Sequence, residues 1–311
     1  MVASHSTPLH VAIRCDALAA KGTGHLVRQT ALAQELRARG HRVTLHGECD
    51  VAWARAQAGR VGLTFEPVGD DFPARCAADG VDAVVIDGYD FPTSLGADLR
   101  ARGVPVLAMV DDDFGRHQEA DVFVDQNLGS ADPGTPAWLV GPRYVLLRDV
   151  VRDRRGTPAA SNTPPRVLVV FGGSDPFGGC PVAAGLLLSI GLPVDVVAIA
   201  ASDERRAELA ALDVGEGQRL EVLGAQDALP GLALTCDVVV SAAGSSVWEF
   251  ACLGVPTALV CVVDNQVTGY EAATDELAVP LGRLAALRED PEARDAARTA
   301  MTRLLEDDRR R

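Results

Sequence analysis

A histidine lies on a glycine-rich turn near the start of the chain. In "KGTGHLVRQTALAQELRARG" (21–40), His25 directly follows Gly24 and precedes a segment whose apolar residues recur at helical spacing. Histidine ordinarily titrates near pH ~6.5, so it can exchange a proton under physiological conditions. At a junction of loop and helix it can orient water or a substrate, or it can simply cap the helix. This segment alone leaves both interpretations open.

A second chemical motif follows an apolar run in the other half of the chain. "VLVVFGGSDP" (167–176) ends its run at Gly172, Gly173 and Ser174. Glycines at this point permit positive φ and let a ligand approach the backbone closely, which suits a diphosphate. An ordinary tight turn after a strand explains the same residues.

A third motif places serines at the start of a helix. In "VVVSAAGSSVWEFACLG" (238–254) a strand contains Ser241, and the residues Gly244, Ser245 and Ser246 then lead into a helix that carries Glu249. Free N–H groups and the dipole at a helix start favour phosphate binding. Glu249 can accept hydrogen bonds from a ribose diol, or it can complete a capping box with Ser246.

Further polar residues end other apolar runs. Asn265 and Gln266 follow one run, where their amides can bind sugar hydroxyls or phosphate, although asparagine also suits a turn. Asp87 and Tyr89 follow another, and three aspartates occupy 111–113. A metal site built from these carboxylates is conceivable, but we prefer a capping or salt-bridge cluster.

Apolar runs alternate with helical patterns throughout the chain, which predicts two doubly wound α/β domains with parallel sheets. The charged and then proline-rich stretch 152–165 interrupts this rhythm. We place a linker at 156–163, between an N-terminal domain (1–155) and a C-terminal domain (164–311). Such domains bring their ligand loops to the two sides of a cleft. The polar residues 289–311 predict a terminal surface helix.

Composition restricts the partners. The formal net charge of −14 argues against nucleic acid and anionic membranes, both of which are polyanions. The seven cysteines form no C-x-x-C pair, and several lie in apolar runs, so we interpret them as reduced, buried residues of a cytoplasmic protein. The N-terminal segment has no apolar core of the kind that directs export, and no stretch is long enough to span a membrane.

Taken together, the motifs resemble a known family. "RCDALAAKGTGHLVRQTALAQEL" (14–36) is similar to the R-x-D…G-x-G-H-x-x-R signature of the nucleotide-sugar hydrolases of pseudaminic acid biosynthesis. These enzymes hydrolyse UDP-2,4-diacetamido-2,4,6-trideoxy-β-L-altropyranose and are related to spore-coat polysaccharide proteins. The resemblance continues in order through 85–91, 109–113, 141–150, 170–176 and 241–266. A more distant similarity, to the transferase that adds N-acetylglucosamine to the lipid-linked peptidoglycan precursor, implies the GT-B fold.

The resemblance implies a role for each motif. The UDP moiety is expected in the C-terminal domain, as part of the substrate rather than as a cofactor. His25 is expected to be the general base on a water that attacks the anomeric carbon, so that the configuration inverts. Backbone donors that stabilise the departing UDP can replace a metal, so we expect none. The implied catalytic set is His25, Tyr89, Asn265 and Asp16, with Arg14 shaping the pocket, and the implied UDP-binding set is Gly172, Gly173, Ser174, Ser241, Gly244, Ser245, Ser246, Glu249 and Gln266.

The chain also departs from the family pattern, because "DGY" at 87–89 stands where the family has "DHY" and leaves Gly88 without a side chain. The departures fall around the expected sugar pocket, so the sugar is left open. A GT-B glycosyltransferase that moves the sugar from UDP to a small soluble acceptor is the alternative, because His25 would serve equally well as its base. A third alternative is a protein that binds a nucleotide sugar without turning it over.

Overall fold

The first unit of the protein is an α/β unit whose sheet is entirely parallel. The computed structural model describes residues 7–69, 71–111 and 113–306. The first unit comprises Met1–Leu18 and His25–Arg148, within those described limits. Its elements are β1 (His10–Cys15), α1 (Gly24–Ala38), β2 (Arg42–His46), α2 (Ala52–Arg60), β3 (Phe65–Glu66), α3 (Phe72–Ala78), β4 (Ala83–Asp87), α4 (Leu95–Arg100), β5 (Val106–Met109), β6 (Val122–Asp125) and β7 (Trp138–Val140).

The strand order of this sheet is β3-β2-β1-β4-β5-β6-β7. After β1, the next two strands are added on one side of it. From β4 onward, the strands are added on its other side. The point between β1 and β4 is where an open parallel sheet forms its ligand crevice. The register pairs Cys15 with Asp87, so both strands end at the same level. The loops that carry His25 and Tyr89 leave the sheet at this point.

The second unit has the same architecture. It comprises Ala19–Gly24 and Asp149–Arg311, again within the described limits. Its strand order is β10-β9-β8-β11-β12-β13, with the reversal between β8 and β11. Its elements are α5 (Asp149–Arg152), β8 (Arg166–Val170), α6 (Gly179–Leu188), β9 (Val194–Ile199), α7 (Asp203–Ala210), β10 (Gln218–Leu223), α8 (Leu229–Ala233), β11 (Val238–Ala242), α9 (Ser246–Leu253), β12 (Thr257–Cys261), α10 (Val267–Glu276), β13 (Val279–Arg283), α11 (Leu284–Glu289) and α12 (Pro291–Glu306).

The central strands are buried on both faces because helices cover both sides of each sheet. Val167, Leu168 and Val169 show no exposed surface, as their uninterrupted apolar sequence predicts. The predicted terminal helix is α12, and it is more than a surface helix. Met301, Leu304 and Leu305 on one of its faces are buried in the core of the second unit. Residues 307–311 of that prediction lie outside the described residues.

The predicted linker packs with the second unit. Residues 149–155, which we assigned to the N-terminal domain, and the linker 156–163 both belong to the second unit. Val151 is fully buried. The Ala160 N–H donates to the Leu234 carbonyl at 2.8 Å, and the Asn162 N–H donates to Asp237 Oδ1 at 2.9 Å. These bonds fix the backbone of the segment, although its composition is that of a flexible connector.

In the described part of the chain, no helix is long and apolar enough to cross a membrane.

Candidate functional site

His25 is the second residue of α1, and its side chain remains partly accessible. Its exposed fraction is 14%, so the imidazole is shielded without being sealed in the interior. The Tyr89 ring meets it edge-on, with 4.3 Å between the ring centroids. The Asp111 carboxylate lies within ion-pair distance, because its Oδ2 is 3.9 Å from His25 Nε2. An aromatic ring and a carboxylate from two neighbouring strand ends therefore hold the imidazole.

Asp111 is the residue around which these polar groups assemble. It follows β5, next to the β4 end that carries Tyr89. The Tyr89 hydroxyl donates to Asp111 Oδ2 at 3.2 Å, and Asn127 Nδ2 donates to Oδ1 at 3.3 Å. Arg28 Nη1 lies 3.5 Å from Oδ2. Asp111 therefore belongs to the salt-bridge cluster that we preferred for the aspartate run, and Asp112 lies outside the described residues.

A buried ion pair lies one helical turn below His25. Arg28 is 4% exposed and Asp87 is fully buried. The guanidinium binds the carboxylate through two bonds, Nε to Oδ2 at 2.7 Å and Nη2 to Oδ1 at 2.6 Å. Gln29 Nε2 also donates to Asp87 Oδ2 at 2.7 Å. The start of α1 is therefore fastened to the end of β4 by three charge-assisted hydrogen bonds.

This environment sets the proton affinity of each group. Burial lowers the pKa of His25, and the negative charges of Asp87 and Asp111 oppose that shift without cancelling it, so the imidazole is neutral at pH 7. Burial alone would raise the pKa of Asp87, but Arg28 and its hydrogen bonds outweigh it and bring the value to about 2. Burial and the Asp111 carboxylate raise the pKa of the Tyr89 hydroxyl, which therefore remains a donor.

Asp16 lies at the end of β1 and pairs with Arg14, whose Nη1 is 2.5 Å from Asp16 Oδ1. The Asp16 charge raises the pKa of His25, although burial has the larger effect in the opposite direction. Arg14 stacks over Phe91, 4.0 Å from the ring centroid. A β-carbon on Gly88 would lie 2.6 Å from the same ring. The Phe91 ring therefore occupies the space that a side chain at position 88 would need, and such a side chain would require the ring to move.

In the second unit, a side chain of the glycine turn after β8 already binds backbone N–H groups at the start of α6. Gly172 has a φ of +74°, as we expected of a turn glycine. Asp175 accepts hydrogen bonds from the N–H groups of Gly179 (2.7 Å) and Cys180 (3.0 Å), so its carboxylate already caps α6. Ser174 Oγ is buried and has no hydrogen-bond partner within the described chain. This turn can offer Gly173 and Ser174 to a ligand, but it cannot offer the first turn of α6.

The start of α9 is different. Ser245 is the N-cap residue, and its side chain makes no capping hydrogen bond. Ser246, which the predicted capping box needs as the N-cap residue, is instead the first helical residue. Gly24, which belongs to the second unit, approaches this helix start, since a β-carbon on Gly24 would lie 3.0 Å from Ser245 Oγ.

The amides after β12 complete this group. Gln266 Oε1 accepts a hydrogen bond from the Val262 N–H at 2.9 Å, which leaves its Nε2 as a donor. A β-carbon on Gly244 would lie 3.9 Å from that Nε2, so Gln266 and the α9 loop are neighbours. Asn265 Oδ1 is buried without a hydrogen-bond partner among the described residues. Glu249 is 5% exposed, and Ser241 is 1% exposed inside β11, one step back from the loop.

The structure thus brings some of the predicted residues together within each unit. In the first unit, His25 lies against Tyr89, and in the second, Gln266 lies beside the loop before α9. Among the described residues, no group of three histidine, cysteine, aspartate or glutamate side chains is arranged to hold a metal ion. The sequence interpretation missed the roles of Arg28, Gln29 and Asn127. A signal was available for two of them, since Arg28 and Gln29 are polar residues on the turn of α1 that follows His25.

Comparison with known proteins supports the fold. No protein-family model matches the chain. The spore coat polysaccharide biosynthesis protein SpsG of Bacillus subtilis (strain 168) is 21% identical over 284 residues, which cover 86% of this chain and 82% of that protein. The crystal structure of Acinetobacter baumannii MurG matches with a TM-score of 0.65 at 18% identity, over 96% of this chain and 92% of the other.

Two further similar structures were solved with UDP. Anabaena HepE in complex with UDP and glucose matches with a TM-score of 0.61 at 13% identity, over 97% of this chain and 91% of the other. The S. aureus MnaA–UDP structure matches with a TM-score of 0.59 at 11% identity, over 97% of this chain and 89% of the other. The fold class that we predicted is confirmed. The chain has the GT-B fold, with two Rossmann-like α/β domains.

Replacing Arg28 with methionine is predicted to destabilise the first unit by ~3–5 kcal/mol, because Asp87 would remain buried without its cation. The urea midpoint of the first unit, followed by hydrogen exchange in β1 and β4, measures this loss. Because the pKa of Asp87 is lowered, its contribution to stability is present above pH ~4 and is lost as the pH falls toward about 2.

The matched control is Arg39→Met, which removes an arginine that is 68% exposed and pairs with Glu35 at the end of the same helix. Its cost should stay below ~0.5 kcal/mol. Equal costs for the two variants would show that the buried pair does not fix α1 to β4.

Proposed function

We propose that the protein is a nucleotide-sugar enzyme that cleaves the bond between a sugar and UDP and transfers the sugar to an acceptor. The observation that carries this proposal is the neutral, partly accessible imidazole of His25, held by Tyr89 and Asp111 at the switch point of the first sheet. General bases work best when their pKa lies near the working pH, and a neutral imidazole is ready to accept a proton.

The anion site that we propose is the loop before α9. Its helix start makes no side-chain cap bond, and Ser245, Ser246 and the amide of Gln266 add donors. Such a site suits the diphosphate of UDP. Gly173 and Ser174 would contribute from the neighbouring β8 end, and Glu249 would bind the ribose. HepE and MnaA were each solved with UDP, which supports UDP as the nucleotide.

In the proposed reaction, the imidazole of His25 acts on the attacking oxygen, and the loop before α9 binds the UDP moiety. We propose that His25 takes the proton of an acceptor hydroxyl as its oxygen attacks the anomeric carbon. The bond from that carbon to the phosphate oxygen breaks, and UDP leaves with the electron pair, so the configuration inverts. We expect Asn265 and Asp16 to help position sugar and attacking oxygen, and we propose no metal in this step.

Hydrolysis is the second candidate, with water in place of the acceptor hydroxyl. The observation that favours it is that the G-x-G-H-x-x-R segment, which carries the resemblance to the hydrolases, is intact, with His25 and Arg28 both in the assembled site. We prefer transfer because a similar solved structure, that of E. coli ADP-heptose heptosyltransferase II, is named as a transferase.

Incubation with a panel of UDP-sugars distinguishes the two candidates. We expect little free sugar from the enzyme with donor alone, and turnover once a cell-derived pool of small acceptors is added, because transfer needs an acceptor oxygen. Multiple-turnover release of free sugar and UDP without any acceptor would establish hydrolysis. Chromatography of UDP, free sugar and product measures both outcomes.

His25→Phe is predicted to reduce turnover by at least ~10², because it removes the general base and keeps a ring beside Tyr89. UDP binding, measured by calorimetry, should stay within about twofold of the wild type. His41→Phe is the matched control, since His41 lies at the surface between α1 and β2. Near-normal turnover in the His25 variant would remove His25 from the mechanism.

The pH profile of kcat/KM provides a further prediction. Because burial lowers the pKa of His25, the acid limb should lie below the ordinary value of ~6.5. Asp111→Asn removes a negative charge that raises this pKa, so the limb should move to lower pH while kcat falls. Asp113→Asn removes an equal charge from the same turn and should leave the limb in place. A limb that stays fixed or moves to higher pH in Asp111→Asn would contradict this assignment.

A further inference from the structure

An exposed aromatic ring packs against Tyr89, whose ring in turn contacts His25. The Phe114 ring meets Tyr89 edge-on, with 4.5 Å between the ring centroids, and Tyr89 meets His25 at 4.3 Å. Phe114 is 37% exposed, so part of its ring faces solvent. A single exposed apolar residue needs no explanation. Phe114, however, is connected to the proposed base, His25, through the Tyr89 ring.

The backbone holds Phe114 in this position. The N–H of Asp111 donates to the Phe114 carbonyl at 3.0 Å, and the N–H of Phe114 donates to the Asp111 carbonyl at 3.1 Å. Gly115 follows with a φ of +82°, and a β-carbon there would lie 2.0 Å from the Met109 carbonyl oxygen. The turn that places Asp111 against His25 therefore also fixes Phe114 against Tyr89. These backbone bonds hold the residue whose ring is partly exposed beside Tyr89.

We infer that Phe114 is a specificity-determining residue that contacts an apolar C–H face of the donor sugar. This inference rests on the proposed function. A general base must lie within hydrogen-bond reach of the attacking oxygen, which is itself adjacent to the anomeric carbon. The group next to that carbon is the sugar ring. Phe114 is separated from His25 only by the Tyr89 ring, so it is placed to meet the sugar and not the nucleotide. Pyranose rings and N-acyl or deoxy substituents present C–H groups, and burying these against an aromatic ring is favourable.

The test compares UDP with UDP-N-acetylglucosamine as probes, by calorimetry and by saturation-transfer NMR. Phe114→Ala should weaken UDP-N-acetylglucosamine by about tenfold, the size of a lost aromatic contact, and leave UDP unchanged. Saturation of the aromatic protons should reach the sugar C–H protons in the wild type and be greatly reduced in Phe114→Ala, while the uracil signals persist. Phe114→Tyr keeps the ring and should restore both measurements.

Leu9→Ala is the control, since Leu9 is 42% exposed just before β1, at the opposite end of that strand from the site. It should change neither probe. Equal weakening of both probes, or no weakening in Phe114→Ala, overturns the assignment of Phe114 and leaves the proposed function intact. Failure of the wild-type protein to bind either probe overturns both.

Discussion

The buried pair between Arg28 and Asp87 is the interaction on which the first site depends. Two charges removed from water carry a large desolvation penalty, which is offset here by two short bonds to Arg28 and a third from Gln29. Because both carboxylate oxygens are engaged, α1 cannot rotate or slide along β4 without leaving a buried charge unpaired. That constraint fixes the rotation of α1, and therefore the direction in which His25, one turn earlier, leaves the helix.

The same pair connects two strand ends. Arg28 binds Asp87, the last residue of β4, and approaches Asp111, which follows β5, so one guanidinium contacts both strand ends. The two carboxylates raise the proton affinity of His25, whereas burial and the Arg28 charge lower it. The balance leaves a neutral imidazole beside a carboxylate that can stabilise it once it has gained a proton. A surface histidine would lack this balance, because water screens each of these effects.

The apolar runs predicted the strands, and strand ends predicted where polar residues gather, because parallel strands end at one edge of a sheet. His25, Tyr89 and the α9 serines could be selected on that basis. The position of Arg28 one turn after His25 was a signal, but its ion pair with Asp87 could not be predicted, since an arginine on a helix ordinarily faces solvent. The packing of 156–163 was also beyond prediction, because Ala160 and Asn162 bind partners more than seventy residues away. The Phe91 ring beside Gly88 depends on a side-chain direction that no local pattern encodes.

The two glycine turns of the second unit read alike in sequence and differ in one chemical respect. After β8, the Asp175 carboxylate occupies the N–H groups that begin α6, and its negative charge opposes an incoming phosphate. After β11, the N-cap residue Ser245 makes no side-chain cap bond, so its hydroxyl does not occupy the N–H groups at the start of α9. A helix that satisfies its own cap is stable without a ligand. A helix that does not is stabilised when an anion binds, and this difference is why we propose α9 and not α6 as the diphosphate site.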